Sequence, residues 1–197
     1  MRTILIILAM LFGGCTTIKP PVAEYNIAIK DIKINHSVSS SQENSLKILR
    51  AFSTNSLATL NMDYTDANNR VYSYSQSQWQ ESPSDMISSL LLKNIRDSGL
   101  FSSVHPSKSR VKSDFILETN IEEFMQFYSH EMRESHVEVV ISLSLIDAKT
   151  NSVVASKVFS SHINTKTLDA NGGVEAFNIA LLEIISKNIE WLSEICR

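Results

Sequence analysis

Cysteine, proline and glycine are scarce in this chain of 197 residues, which has two cysteines, four prolines and five glycines. With so few cysteines we expect no internal disulfide, so the hydrophobic core alone must hold the fold. Charge is also limited: charged residues make up 20% of the chain, and the formal net charge is −3. This balance excludes the basic footprint of a nucleic-acid-binding protein. No repeat or low-complexity segment divides the sequence, so one folded domain is predicted.

Long apolar runs are absent as well, and a membrane-spanning helix needs roughly 20 such residues. A short run, Ile4 to Phe12, follows Arg2 and precedes Gly13-Gly14-Cys15. This order predicts a secretory signal over residues 1–14. The end of the run resembles a bacterial lipobox, although Phe12 stands where an aliphatic residue is usual. We therefore predict that Cys15 is lipidated; the alternative is a conventional signal peptidase site beside a stray thiol.

A lipidated Cys15 would anchor the protein to a membrane, because two or three acyl chains bind far more firmly than one. Residues 15–23 then form a short tether broken by Pro20 and Pro21. The folded domain is predicted over residues 24–197. Thr16, not Asp, follows the cysteine, and by resemblance to enterobacterial sorting this favours the periplasmic face of the outer membrane.

Hydrophobic periodicity predicts the elements of the folded domain. Ser82-Pro83 followed by apolar residues at helical spacing predicts a helix that stops at Gly99. A longer amphipathic helix is predicted from Asp169 to Ile195, whereas Ser53–Asn69 shows no clear period. Alternating residues predict strands at 24–35, 46–49, 70–79, 115–128, 137–146 and 153–163.

The last three of these strands, joined by short polar turns, predict an antiparallel meander with one strongly apolar face. The two helices would cover that face. The predicted fold class is therefore α/β, a layered sandwich in which a mixed, largely antiparallel sheet is packed by two main helices.

The sequence has no recognisable constellation for catalysis or for metal binding. None of the five histidines lies at metal-ligand spacing, and no Gly-x-Ser-x-Gly elbow is present. His130 and His136 flank one turn and are interpreted as solvated rather than as metal ligands. Asn171-Gly172-Gly173 is interpreted as a flexible helix start rather than an anion site. We therefore predict a protein without enzymatic activity, cofactor or metal.

Aromatic residues gather near the end of the strand at 115–128. Phe124, Phe127 and Tyr128 are candidates for contact with lipid or with a protein partner. The alternative is that they pack in the core. The glutamates of the same strand, Glu118, Glu122 and Glu123, are interpreted as a solvated strand face.

The order of these elements resembles one family. The sequence is similar to the ABC-type transport auxiliary lipoproteins, the PqiC-like family, in three successive features. These are a tyrosine-containing strand that ends in Trp79, a helix that begins with a proline, and Ser98-Gly99-Leu100-Phe101 before the next strand. Three later features are similar as well: a strand with several acidic residues at Phe115 to Phe127, a strand rich in Val and Leu at Val137 to Ile146, and a C-terminal helix that contains Trp191. The Pro-containing segment common in the family is missing from Ser53–Asn69. The resemblance implies an anticodon-binding-like or TolB-amino-terminal-like fold.

The resemblance also implies a function. Such a lipoprotein would be a non-catalytic auxiliary component of an ABC transport system that moves phospholipid or other hydrophobic molecules between the inner and outer membranes. Its partner would be a periplasmic MCE-domain protein; nucleic acid is not expected as a partner, and self-association is left open. The alternative is an outer-membrane lipoprotein that activates a peptidoglycan synthase or serves another envelope assembly. An envelope hydrolase is a third reading.

Overall fold

The protein, described from a computed structural model over residues 20–29 and 43–196, has an α/β fold. Residues 1–19, with the predicted signal and Cys15, lie outside the described residues, as do residues 30–35 of the predicted strand at 24–35. A short 3-10 helix occupies Asn55–Ala58. The helices are α1 (Pro83–Asp97) and α2 (Ala170–Ile195). The strands are β1 (Ala23–Tyr25), β2 (Ser45–Ile48), β3 (Asn61–Thr65), β4 (Val71–Trp79), β5 (Ser103–Pro106), β6 (Phe115–Tyr128), β7 (Ser135–Asp147) and β8 (Ser152–Asn164).

The predicted meander is the body of the sheet. β6 pairs antiparallel with β7, and β7 pairs antiparallel with β8, along nearly their whole lengths. Side chains on paired strands alternate between the two faces. One face therefore holds an unbroken set of buried residues on β7, and this is the face that the helices cover. The buried residues of β7 are Val137, Val139, Ile141, Leu143 and Leu145.

The second edge of β6 is shared by two shorter groups of strands. Its first half pairs in parallel with β2, and β5 lies beyond β2. Its second half pairs in parallel with β3, and β4 and β1 follow. The sheet is thus mixed, and its long pairings are antiparallel, which confirms the predicted fold class.

Both helices begin as the sequence predicts. Ser82 caps α1, its hydroxyl accepting from the Asp85 N–H at 3.3 Å. The chain leaves α1 through Gly99, whose φ of +67° lies in the left-handed region. Asp169 caps α2, its carboxylate accepting from the Gly172 N–H at 2.8 Å. That hydrogen bond is the main reason that the pKa of Asp169 is lowered.

The helices cover different parts of one face. α1 packs on β5, β2 and β6, while α2 packs on β8 and β7. The buried side of α2 includes Leu181, Ile184, Ile185 and Ile189, each essentially inaccessible to solvent. The opposite face of the meander carries no helix of the described chain. The protein therefore has two layers, with its core between the sheet and the helices.

Candidate functional site

The three aromatic residues predicted as a contact cluster do not share a surface. Strand alternation turns Phe124 and Tyr128 toward the helices, where they are 3% and 6% exposed. Phe127 points to the opposite face of the sheet and is half-buried. Phe127 is therefore the member of this trio that lies on the helix-free face.

Phe124 belongs to an aromatic core. Its ring stacks on Phe177 of α2 at a centroid distance of 4.1 Å. Trp79, at the end of β4, lies 5.8 Å from both rings. These contacts join β4, β6 and α2. Aromatic pairs of this kind add stability beyond the effect of the area that they bury.

Tyr128 belongs to a cluster of four tyrosines at the same end of the sheet. Tyr64 lies at its centre, with ring centroids 5.5 Å from Tyr72, 4.7 Å from Tyr74 and 5.3 Å from Tyr128. The hydroxyl groups of Tyr74 and Tyr128 are 2.6 Å apart. Burial raises the pKa of both phenols, so they stay protonated and share a hydrogen bond. We refer to these four residues as the tyrosine cluster.

Gln126 connects the tyrosine cluster to the start of α2. Its side-chain oxygen accepts from the Tyr74 hydroxyl at 3.0 Å, and its amide donates to Ser135 Oγ at 3.1 Å. The amide also reaches the carbonyl of Asp169 at 3.5 Å. Because each of these partners is supplied by a different element, the buried amide fixes the position of β4, β7 and α2 at once.

The two glycines at the start of α2 have a structural role. A side chain at Gly173 would meet the Gln126 amide oxygen, and one at Gly172 would meet the Thr167 carbonyl. The interpretation of a flexible helix start stays a prediction, and the structure shows in addition that both glycines are closely packed. Gly173 allows α2 to approach β6 closely, and Gly172 allows it to approach the loop at Thr167. Close approach of this kind is one of the uses of glycine.

A groove of about 350 Å³ lies beside the tyrosine cluster. Tyr64 and Tyr72 form one wall, and His130 and Met132 contribute the turn between β6 and β7. Arg70 pairs with Asp66 at 2.6 Å. The pKa of Asp66 is lowered to about 2, chiefly by hydrogen bonding from Arg70. The groove therefore offers aromatic surface and a satisfied ion pair, but it contains no activated nucleophile.

Phe127 forms a second aromatic group on the helix-free face. Its ring stacks on His136 at 5.3 Å, and His136 stacks on His162 of β8 at 4.0 Å. Burial lowers the pKa of His136, and the neighbouring His162 adds to this effect. His130 and His136 flank one turn in the sequence, but His136 stacks on His162, and His130 lies in the groove beside the tyrosine cluster. Cross-strand register, which a local pattern does not contain, decides this pairing.

Residues 20–29 and 43–196 contain no group of three His, Cys, Asp or Glu side chains that could hold a metal ion. Over the same ranges, no helix is both long enough and apolar enough to cross a bilayer.

Solved structures share this fold at low sequence identity. Protein XCC0632 from Xanthomonas campestris, assigned to the DUF330 family, matches with a TM-score of 0.79 and 16% identity, over 88% of this chain and 96% of that one. An uncharacterized protein matches with a TM-score of 0.66 and 10% identity, over 87% and 98%. The hypothetical protein CT253 from Chlamydia trachomatis matches with a TM-score of 0.52 and 6% identity, over 78% and 98%.

At the level of sequence, no curated protein matches the chain. The profile of the ABC-type transport auxiliary lipoprotein component matches residues 32–187. That family is not a known enzyme family, and its description implies the cell envelope and association with an ABC-type transporter. The match spans most of the folded domain, as the resemblance in the sequence predicted. The chain therefore belongs to the family of ABC-type transport auxiliary lipoprotein components.

Proposed function

We propose that the protein is a non-catalytic, lipid-anchored adaptor of an ABC transport system of the MCE type. Lipidated Cys15 holds it to the periplasmic face of the outer membrane. The folded domain docks a periplasmic MCE-domain protein, so that phospholipid or another hydrophobic molecule passes between the two membranes. The family match over residues 32–187 carries this proposal.

The site chemistry is consistent with an adaptor. In and beside the tyrosine cluster, Tyr74 and Tyr128 are protonated and hydrogen-bonded to each other, and Asp66 is paired with Arg70. Such groups position elements rather than activate a substrate. Phe127 lies on the face of the sheet that no helix of the described residues covers, and we propose it as a contact for the partner or for lipid.

Capture of partners tests the adaptor role. The full-length protein, carrying a carboxyl-terminal affinity tag, is purified from detergent-solubilised envelopes after reversible cross-linking. We expect an MCE-domain protein to be enriched, and Phe127→Ala to reduce that enrichment several-fold. Val71→Ala on β4, a residue 61% exposed, is the matched control. Recovery of a peptidoglycan synthase without MCE, permease or ATPase components would contradict the proposal.

A further inference from the structure

β8 is a long strand at the edge of the sheet. It has 13 residues and, within the described chain, pairs only with β7. A bulge near Val154 disturbs one end, and the rest runs in regular register. Exposed edges of this kind attract another strand, and proteins usually protect them. Here Lys157 is the one charged residue of β8, and Val158 is 57% exposed.

The backbone of β8 is oriented for pairing. The Thr165 N–H donates to the Ser135 carbonyl at 2.9 Å, just beyond the end of the strand. Residues that bond to β7 therefore recur at every second position back from Thr165, and the residues between them face away. Ser156, Val158 and Ser160 are in this second set. Their N–H and C=O groups point to the free edge.

A groove of about 300 Å³ opens along the same edge. Its strand wall consists of four successive residues, 157–160, which come from both faces of the sheet. A cavity lined in this way opens on the edge of a strand, not on one face. The opposite wall is one side of α2, with residues at helical spacing. These residues are Lys187, Glu190, Trp191 and Glu194.

We propose that the edge is closed by β8 of a second copy of this chain, in antiparallel pairing about a two-fold axis at Val158. This register sets Ser156 of one copy opposite Ser160 of the other, and Val158 opposite Val158. Lys157 then lies opposite Phe159 of the second copy. Within its own chain, the Lys157 ammonium lies 5.4 Å from the centre of the Phe159 ring, so the two side chains form a favourable pair. An axis at Lys157 would instead oppose two lysines.

The charges of the groove favour a second copy over an unrelated strand. Lys157 and Lys187 carry two positive charges, and Glu190 and Glu194 carry two negative ones. A two-fold interface brings the same patch together twice, so it must be self-complementary. Because this groove has equal numbers of both signs, it carries no net charge that would repel a second copy.

The position of α2 also favours a second copy of this chain at the edge of β8. Because α2 packs on both β7 and β8, the two-fold axis would bring the α2 helices of both copies together over the joined strands. Strands in a sheet lie about 4.8 Å apart. Helices centred between β7 and β8 would therefore be about 10 Å apart across the junction, the upper end of the spacing of packed helices. The dimer would have one continuous sheet and a paired helix layer.

Disulfide cross-linking in intact envelopes tests this register. The full-length protein carries Cys196→Ser, and single cysteines are introduced at exposed positions of β8. Val158→Cys should form a dimer of twice the monomer mass in more than half of the molecules on mild oxidation. Ser156→Cys and Ser160→Cys, each expressed alone, should form no disulfide-linked dimer. When the two variants are co-expressed, they should cross-link to each other. The Cys196→Ser parent is the control and should give no dimer.

A second measurement does not depend on thiols. Val158→Lys should halve the mass of the detergent-purified full-length protein in sedimentation, with the melting temperature unchanged. The matched change Val71→Lys, at a similarly exposed valine on β4, should leave the dimer intact. A monomeric parent protein, a Val158→Cys adduct with a different protein, or cross-linking of Ser156→Cys alone would overturn the proposal. The dimer proposal is independent of the adaptor function, because it is measured without any transport partner.

Discussion

Gly173 is the residue at which helix packing and the polar network meet. Helix propensity alone would favour alanine there, because glycine costs about 0.5–1 kcal/mol in a helix interior. The Gln126 amide occupies the space that an alanine methyl would need. Gln126 in turn is held by Tyr74 and Ser135. We infer that close approach, rather than flexibility, selects glycine at this position.

Gly173→Ala should therefore destabilise the protein by about 1–3 kcal/mol, the usual cost of overpacking. Urea unfolding at pH 7 measures the change. The control is the same substitution in a Gln126→Ala background, where the methyl has room and the cost should be smaller by at least about 1 kcal/mol in a double-mutant cycle. An equal cost in both backgrounds would show that the Gln126 amide does not constrain Gly173.

Leu143 tests the apolar face of β7, which was predicted from alternation and is inaccessible to solvent in the structure. Leu143→Ala should cost about 2–5 kcal/mol, because it removes buried methyl groups and leaves a cavity. Val71→Ala, at an exposed position, should change stability by less than about 0.5 kcal/mol. Unfolding midpoints measure both. Similar shifts for the two variants would mean that β7 presents its other face to the helices.

Periodicity predicted the long elements and the four-residue strand β2, but it missed the short strands β3 and β5. The apolar face of β7 and the capped start of α1 are local patterns, so the sequence contains them. β3 has five residues and β5 has four. β3 is also interrupted, since its register with β4 shifts between Asn61 and Asp63. A strand this short is buried by the strands that neighbour it in the sheet. The local sequence pattern does not identify those strands.

The start of α1 combines a cap with an ion pair. Asp85 accepts from Arg50 in two hydrogen bonds, at 2.6 and 3.0 Å, and from the Ser82 hydroxyl at 2.7 Å. Hydrogen bonding from Arg50 is the largest of the causes that lower the pKa of Asp85 to about 2. Both side chains are about half exposed, so solvent screens the pair and limits its contribution to stability.

Asp85→Asn should lower the free energy of unfolding by about 0.5–1 kcal/mol at pH 7, mostly through the cap and the screened pair. The folded pKa lies below the unfolded value of about 3.9. The stabilisation from the charge is therefore complete above that value and is lost as the pH falls toward 2. Urea titrations at pH 7, 4 and 3 should show the gap between wild type and variant narrowing. A gap that stays constant over this range would contradict the assigned role of the charge.

The candidate site was predicted less well than the fold, again for a physical reason. The sequence places Phe124, Phe127 and Tyr128 close together, but alternation separates them onto two faces of the sheet. The tyrosine cluster joins β3, β4 and β6, which are brought together by a parallel pairing between β3 and β6. The tyrosines of β4 are apparent in the sequence, but the tyrosines that they contact, on β3 and β6, cannot be identified from it.

At the scale of the whole fold, residues 20–29 and 43–196 form a two-layer domain in which both helices cover one side of the sheet. One end of the sheet is fixed by Gln126 and the tyrosine cluster, and the long edge strand β8 lies at its side. Proposed lipidation at Cys15 would hold this domain near a membrane through a short tether. We therefore propose that this protein positions its partners, while the other components of the transporter carry out the transport.

Metabolic labelling with radioactive palmitate tests the anchored adaptor most directly. The wild-type full-length protein should take up label and stay with the membrane fraction after a high-salt wash, because acyl chains do not depend on charge for binding. Cys15→Ser should take up no label under the same conditions. A wild-type protein that remains unlabelled and is released completely by salt would contradict the account.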